Sequence, residues 1–400
     1  EGVWVIAETT DLPTRLIKTV VTDAEGRYVL PDLPKANYDV WVRGYGLVDS
    51  QKVKASPGER LDLNATVAPN ARAAADYYPA GYWYSLIQVP GNDEFPGTGS
   101  EGNGIATAIK NQGDWIRLMK SGRCTACHQL GTKATREMPA IFDTFDSSID
   151  AWARRLQSGQ AAGPMMNSLA MLGEERALKM FADWTDRIAA GEYPLEQPRR
   201  PQNLEQNIVI TQWDWADSKT YLHDEVSTDK RDPTVNANGP IYGALEASAD
   251  YVPVLDPIQH VASRIDITVR DPVTPFAAPQ TGFKSSPYWG DEAIWNSKTN
   301  VHNPMLDHKG RVWLTSRVRP TENPTMCQEG SDHPSAKVFP VSRSFRHLAV
   351  YDPEDEEIEL IGTCFSTHHL VFAEDDNNTL WTSGGGQVIG WLNTKTFDET

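Results

Sequence analysis

Only four cysteines occur among 400 residues, too few for a disulfide-stapled scaffold, so the chain must fold on hydrophobic cores of its own. No apolar run approaches the roughly 20 residues that span a bilayer, so no transmembrane segment is expected. Basic charge is scarce as well. Against 54 Asp and Glu there are 37 Lys and Arg, leaving a formal charge of −17. Nucleic-acid binding needs a basic face to neutralise phosphates, and none is visible. An initiator methionine and a leader of basic, apolar and small residues are both missing. Glu1-Gly2-Val3-Trp4 starts inside an apparent strand, so the chain reads as a piece of a longer protein.

Two of the four cysteines stand in Cys124-Thr125-Ala126-Cys127-His128. C-x-x-C-H is the attachment pattern of heme c: both thiols form thioethers to the porphyrin, and the adjacent histidine becomes an axial iron ligand. Two competing readings are weaker. A redox dithiol should open a helix after a buried strand, and no β-run precedes Cys124. A zinc site needs two more nearby ligands, yet Asn103 to Pro201 holds no further Cys or His. Covalent heme is attached outside the cytoplasm in bacteria, which points to a periplasmic or secreted protein. In that compartment Cys327 and Cys364 pair as a disulfide; the alternative is two buried free thiols. The acidic surface then suits a redox partner protein with a basic docking face.

From about Asn103 the periodicity is helical. Trp115, Ile116, Leu118 and Met119 lead into the motif, a helix is expected over 149–156, and another starts at Gly173-Glu174-Glu175. Ala177, Phe181, Trp184 and Ile188 fall on one face of that last helix, which Gly191 ends. Six of the eight methionines lie in this segment: Met119, Met138, Met165, Met166, Met171 and Met180. Entry helix, heme motif, loop and terminal aromatic helix resemble a small class I cytochrome c over 103–200. The resemblance places the sixth iron ligand on a methionine after a loop, and Ala162-Gly163-Pro164-Met165-Met166 offers Met165 first and Met166 next. The bland reading is core methionines filling gaps. Arg123 or Lys120 are candidates to pair with a heme propionate.

On either side the pattern is β. Residues 1–70 alternate with period two in Tyr38–Gly44 and Leu61–Asn64, with further strands expected at 3–7, 16–21 and Arg27–Leu30. Thr22–Tyr28, Leu30-Pro31-Asp32-Leu33-Pro34 and Tyr38–Gly44 resemble the carboxypeptidase regulatory-like (prealbumin-like) family, a small β-sandwich. Some members of that family bind carbohydrate, so Trp41 and Tyr45 are weighed as a platform for a small-molecule or carbohydrate ligand, with core packing the favoured reading. Residues 71–102 read as a linker whose aromatic knot, Tyr77–Tyr84, packs neighbouring domains together. In 201–400, His302–Ser316 parallels His369–Ser383: a His, an apolar strand, an Asp turn, then a strand bearing Trp. Such units resemble blades of the streptogramin lyase-like β-propeller family, and the segment is long enough for about four at most, so the propeller is expected to be incomplete.

The expected architecture is therefore mainly β with one all-α module: β-sandwich, heme module, partial propeller. Electron transfer through a His128/Met165-ligated heme is the leading expectation. The alternatives are an oxidoreductase or lyase with its active site in the propeller, and a carbohydrate- or partner-binding scaffold. Propeller candidates are His302, His308, His368 and His369 with Glu374 and Asp375. Because His302 and His369 occupy equivalent repeat positions, a structural strand-end role is favoured for both. Ser342–His347 reads either as an anion-binding loop or as an exposed one.

Overall fold

Alternating apolar residues produce β1 (Trp4–Thr9), β2 (Leu16–Val21) and β3 (Tyr38–Arg43), which bury Val5, Ala7, Leu16, Val20, Val40 and Val42. β1 lies between the other two and pairs antiparallel with each, Trp4 facing Val21 on one side and Arg43 on the other. β4 (Leu47–Val48), β5 (Val53–Ala55) and β6 (Thr66–Val67) are shorter; β5 extends the sheet beyond β3, and β4 pairs with β6. The strands expected at Arg27–Leu30 and Leu61–Asn64 do not form. The Asp23 carboxylate accepts the Glu25 and Arg27 amides and the Arg27 guanidinium, so a local turn takes the groups a ladder would have used.

The helical part begins earlier than its sequence pattern indicates. Residues 71–102 hold α1 (Ala71–Ala75), capped by Asn70, and α2 (Ala80–Tyr84). Trp83 of α2 is fully buried with Trp115 and Trp184 in one core, so this segment packs as part of the helical layer, not as a linker. Then come α3 (Gln112–Lys120), α4 (Cys124–Cys127), α5 (Lys133–Arg136), α6 (Ser148–Leu156), α7 (Ala162–Leu172) and α8 (Glu174–Ala189). On α8, Ala177, Phe181, Trp184 and Ile188 are all buried, and Gly191 follows with φ 106, a conformation that favours glycine. The indole N–H of Trp184 donates to the Trp83 carbonyl (3.0 Å), and that of Trp83 to the Ala75 carbonyl (3.0 Å). Edge-to-face contacts run from Trp4 to Tyr45, Tyr78 and Tyr82, joining the β layer to α1 and α2.

β7 (Val209–Trp213) adds to the outer side of β2. The computed structural model, which describes residues 1–121, 123–384 and 387–400, divides into two compact units. One comprises 1–11, 16–212 and 282–292; the other comprises 12–15, 213–281 and 293–400. The boundary expected at 201 therefore falls at 213, and β layer and helices share one unit.

The second unit contains three antiparallel meanders. The first is β8 (Asp224–Val226), β9 (Ile241–Ala244), β10 (Tyr251–Asp256) and β11 (Val261–Asp266). β12 (His302–Leu306), β13 (Val312–Ser316), β14 (His347–Asp352) and β15 (Glu357–Ile361) form the second. β16 (Leu370–Phe372), β17 (Thr379–Ser383) and β18 (Ile389–Asn393) form the third. The first strands are neighbours, β12 packing beside both β8 and β16. The described residues form no closed ring of sheets. The parallel seen in sequence is a parallel of hairpins: buried Asp307 accepts the Lys309 and Arg311 amides and the Trp313 indole N–H, and Asp375 accepts the Thr379 amide and hydroxyl. Cys327 and Cys364 are disulfide-bonded, with Cα atoms 5.1 Å apart.

Candidate heme attachment turn and a histidine cluster

Cys124 and Cys127, three residues apart on the single turn of α4, share a helix face. His128 leaves the helix with an extended backbone (φ −120°, ψ 126°). Both thiols are free. Cys124 is half-buried against the helical core, and burial raises its pKa; Cys127 and His128 are exposed. Partial desolvation by the surrounding chain, then the charge of Arg155, lowers the His128 pKa. The Thr125 hydroxyl donates to the Lys120 carbonyl (2.6 Å), tying the turn to the end of α3. Beside it a cleft of about 530 Å3 is lined by Arg72, Tyr78, Gln129, Lys133 and Arg136. Arg136 is buried over the face of Trp83, 4.0 Å from the ring centre, and donates to the Gly131 carbonyl. Its Nε, like the indole nitrogen of Trp115, is buried with no hydrogen-bond partner.

The methionines sort by burial. Met119 and Met180 are sealed in the core. Met138 and Met166 are half-buried against it, and Met171 is exposed. Met165 is half-buried and stands in the first turn of α7, not in the loop expected there. The helix starts ahead of Pro164 because the first four amides of a helix have no intrahelical acceptor, so proline there costs no hydrogen bond.

The second unit brings together residues that lie far apart in sequence. His223 precedes β8, His302 opens β12 and His369 precedes β16; each stands at the start of the first strand of its sheet. The registers are equivalent, since His302 faces Thr315 while the His369 carbonyl accepts the Ser383 amide. Because those first strands are neighbours, equivalent positions converge. The His223 and His302 rings lie 4.5 Å apart between centres, and His302 stacks on His368 at 4.5 Å and 10°. His368 and His369 are 4.1 Å apart. Asp224 Oδ2 is 2.8 Å from His223 Nδ1 and 3.2 Å from His302 Nε2. Arg346 holds Glu246 (2.5 Å), whose other oxygen faces His223 Nε2 at 3.9 Å.

Electrostatics follow from this crowding. Burial, together with Arg346 and against the pull of Asp224, lowers the His302 pKa to about 4. Burial, His369 and Arg346 lower that of His368. For Asp224, burial opposes ionisation but is outweighed by the His223 hydrogen bond, His302 and the Asn303 amide, so its pKa falls. The strand-end role favoured for His302 and His369 is thus only half the description: they are strand ends, and strand ends meet here.

The other sequence candidates separate. His308 and Glu374 are exposed on hairpin turns, and Asp375 serves its own turn. Ser342–His347 is exposed only in part: Ser342, Arg343 and Phe345 are exposed, whereas Ser344, Arg346 and His347 are buried. His347 Nδ1 accepts the Val318 amide (3.2 Å), so its Nε2–H donates to Ser344 Oγ (3.0 Å), which in turn donates to Asn323 Oδ1 (2.6 Å). Arg319 donates to both Ser344 and Asn323. Trp41 is buried under Lys52, and Tyr45 packs against Trp4 and Tyr78, as core aromatics do. Lys120 lies over the Tyr84 ring at 5.8 Å. His223, Asp224 and Glu246 were not singled out from sequence. Their sheet lacks the Trp marker: by register Gly243 stands where Trp313 and Trp381 stand in the later sheets, and a Cβ there would meet Leu222 and Pro253 at 2.5 and 2.8 Å.

No protein-family model, no curated protein and no solved structure matches this chain.

Proposed function

We propose that the chain is an exported mono-heme c-type cytochrome that transfers electrons, with a carboxypeptidase regulatory-like sandwich, a cytochrome c-like module and part of a streptogramin lyase-like propeller. The observation that carries this reading is the α4 turn: two free thiols on one face, followed by an exposed imidazole. The residues around it suit the group. The unpartnered Nε–H of Arg136, on the cleft lining, calls for an acceptor such as a heme carboxylate, and Arg72 and Lys133 add positive charge there beside the carboxylates of Asp76 and Glu137. When bound, heme supplies a one-electron iron couple. Cys124 and Cys127 would anchor it, His128 would ligate its iron, and Met165 would supply the second side-chain ligand. A methionine cap raises the potential and closes the iron to small molecules, which suits outer-sphere transfer to a partner protein. The Cys327–Cys364 bridge agrees with a periplasmic or secreted location.

The convergence of His223, Asp224, His302, His368 and Glu246 favours a second reading, an oxidoreductase or lyase whose chemistry lies in the second unit. Periplasmic expression with the heme-maturation machinery tests the first. Acid-resistant heme and a pyridine hemochrome spectrum are expected, both lost in Cys124→Ser/Cys127→Ser. A weak red charge-transfer band in the ferric protein is expected to vanish in Met165→Ala. Heme that extracts into acid acetone from the parent chain would refute the reading.

A further inference from the structure

We propose that His223, Asp224 and His302 bind one divalent first-row transition-metal ion, separate from any heme iron. The three donor groups come from the starts of two neighbouring sheets, and their ligand atoms lie within 4.8 Å of one another. His223 Nδ1 and His302 Nε2 lie 2.8 and 3.2 Å from Asp224 Oδ2. Ligands about 2.0–2.2 Å from a zinc-like ion are separated by about 2.8–3.6 Å along the edges of an octahedron or tetrahedron, and both distances lie in that range.

Hydrogen bonding around His302 argues the same way. Its Nδ1 faces the His368 carbonyl at 3.2 Å, and a carbonyl can only accept, so the ring proton sits on Nδ1. A neutral His302 then turns its Nε2 lone pair toward the lone pairs of Asp224, at 1% exposure. A cation between them converts a repulsive contact into two coordinate bonds. The surroundings match the outer shell of a metal site. The His368 carbonyl fixes the His302 ring, and Glu246, held by Arg346, faces the far nitrogen of His223.

Two imidazoles and one carboxylate select zinc, iron or a similar borderline ion over magnesium and calcium, which take oxygen ligands. Three protein donors leave coordination positions open for water or for a substrate oxygen, the arrangement of catalytic sites and not of closed structural ones. The second triad within reach, His302, His368 and His369, shares His302 and so competes for the same ion.

The test uses the full chain and its Cys124→Ser/Cys127→Ser variant, which removes heme and both thiols as metal ligands. After chelation and dialysis, Zn2+ is titrated calorimetrically, and Co2+ is added to read its visible spectrum. About one equivalent is expected to bind either protein, with Co2+ bands of nitrogen and oxygen ligation, no thiolate charge transfer, and no competition from excess Mg2+. Asp224→Ala and His223→Ala are each expected to weaken Zn2+ by roughly 100-fold or more, since even outer-shell losses cost 10–100-fold. Circular dichroism confirms that these variants, altered at partly exposed side chains, stay folded. Absence of binding, loss of binding in the cysteine variant, or unchanged affinity in Asp224→Ala and His223→Ala would overturn the assignment. So would loss in His368→Ala or His369→Ala with Asp224→Ala unaffected.

Discussion

Acidification from pH 7 to pH 5 is expected to destabilise the second unit through His347. Its ring is fully buried, and burial followed by Arg319, Arg270 and Arg317 lowers its pKa to about 3. Both nitrogens are in use, accepting from Val318 and donating to Ser344, so a second proton would break the first bond and face three guanidinium groups. In the unfolded chain the same ring takes a proton near pH 6.5. Below that pH the unfolded state binds a proton that the folded state refuses until about pH 3, and stability falls by about 1.4 kcal/mol per pH unit across the window. Between pH 7 and 5 the loss from this one group is about 2 kcal/mol. His302, lowered to about 4, adds a loss of the same sign that ends near pH 4. The carboxylates held low, such as Asp229 beside Arg231 and Asp398 beside Arg311, lose their contribution only at lower pH, so the interval isolates the imidazoles. Urea unfolding at pH 7 and pH 5 measures the difference. His347→Gln, which keeps a donor and an acceptor but cannot titrate, is expected to reduce it by about 2 kcal/mol. Histidine NMR offers a direct check: a His347 ring titrating near pH 6.5 in the folded protein, or an unchanged pH dependence in His347→Gln, would refute the reasoning.

Two further outcomes follow from the cores. Trp184→Ala empties the centre of the helical core and removes the indole donor to the Trp83 carbonyl, so thermal or urea unfolding should show a loss of about 3–5 kcal/mol, with Trp184→Phe costing less. Cys327→Ser/Cys364→Ser opens a covalent loop across a sequence separation of 37, and unfolding of the non-reduced proteins should register a loss of about 4 kcal/mol.

Local periodicity carried the helices well. The faces of α3 and α8 are written in Trp115, Met119, Ala177, Phe181, Trp184 and Ile188, and each of these residues is buried. It carried the hairpins of the second unit too, because an Asp turn between two apolar strands is closed by contacts a few residues apart. Elsewhere the pattern misled. Arg27–Leu30 reads as a strand run, yet Asp23 takes its amide for a turn, and Tyr77–Tyr84 reads as an aromatic knot within a linker although Trp83 is a core residue of the helical layer. A side chain buried by partners distant in sequence leaves no period of its own.

The sequence by itself determined the chemistry available: a C-x-x-C-H turn, methionines nearby, an acidic surface, and histidines repeated at strand starts. Such features depend on residue type and on spacings of a few positions. Only the tertiary structure decided which of them act together. Equivalent positions in successive sheets look like mere repetition along the chain, but β8, β12 and β16 pack as neighbours, and so His223, Asp224, His302 and His368 become a cluster. Residues separated by up to 145 positions meet within a few ångström because sheet stacking, not the local pattern, sets where the first strands lie.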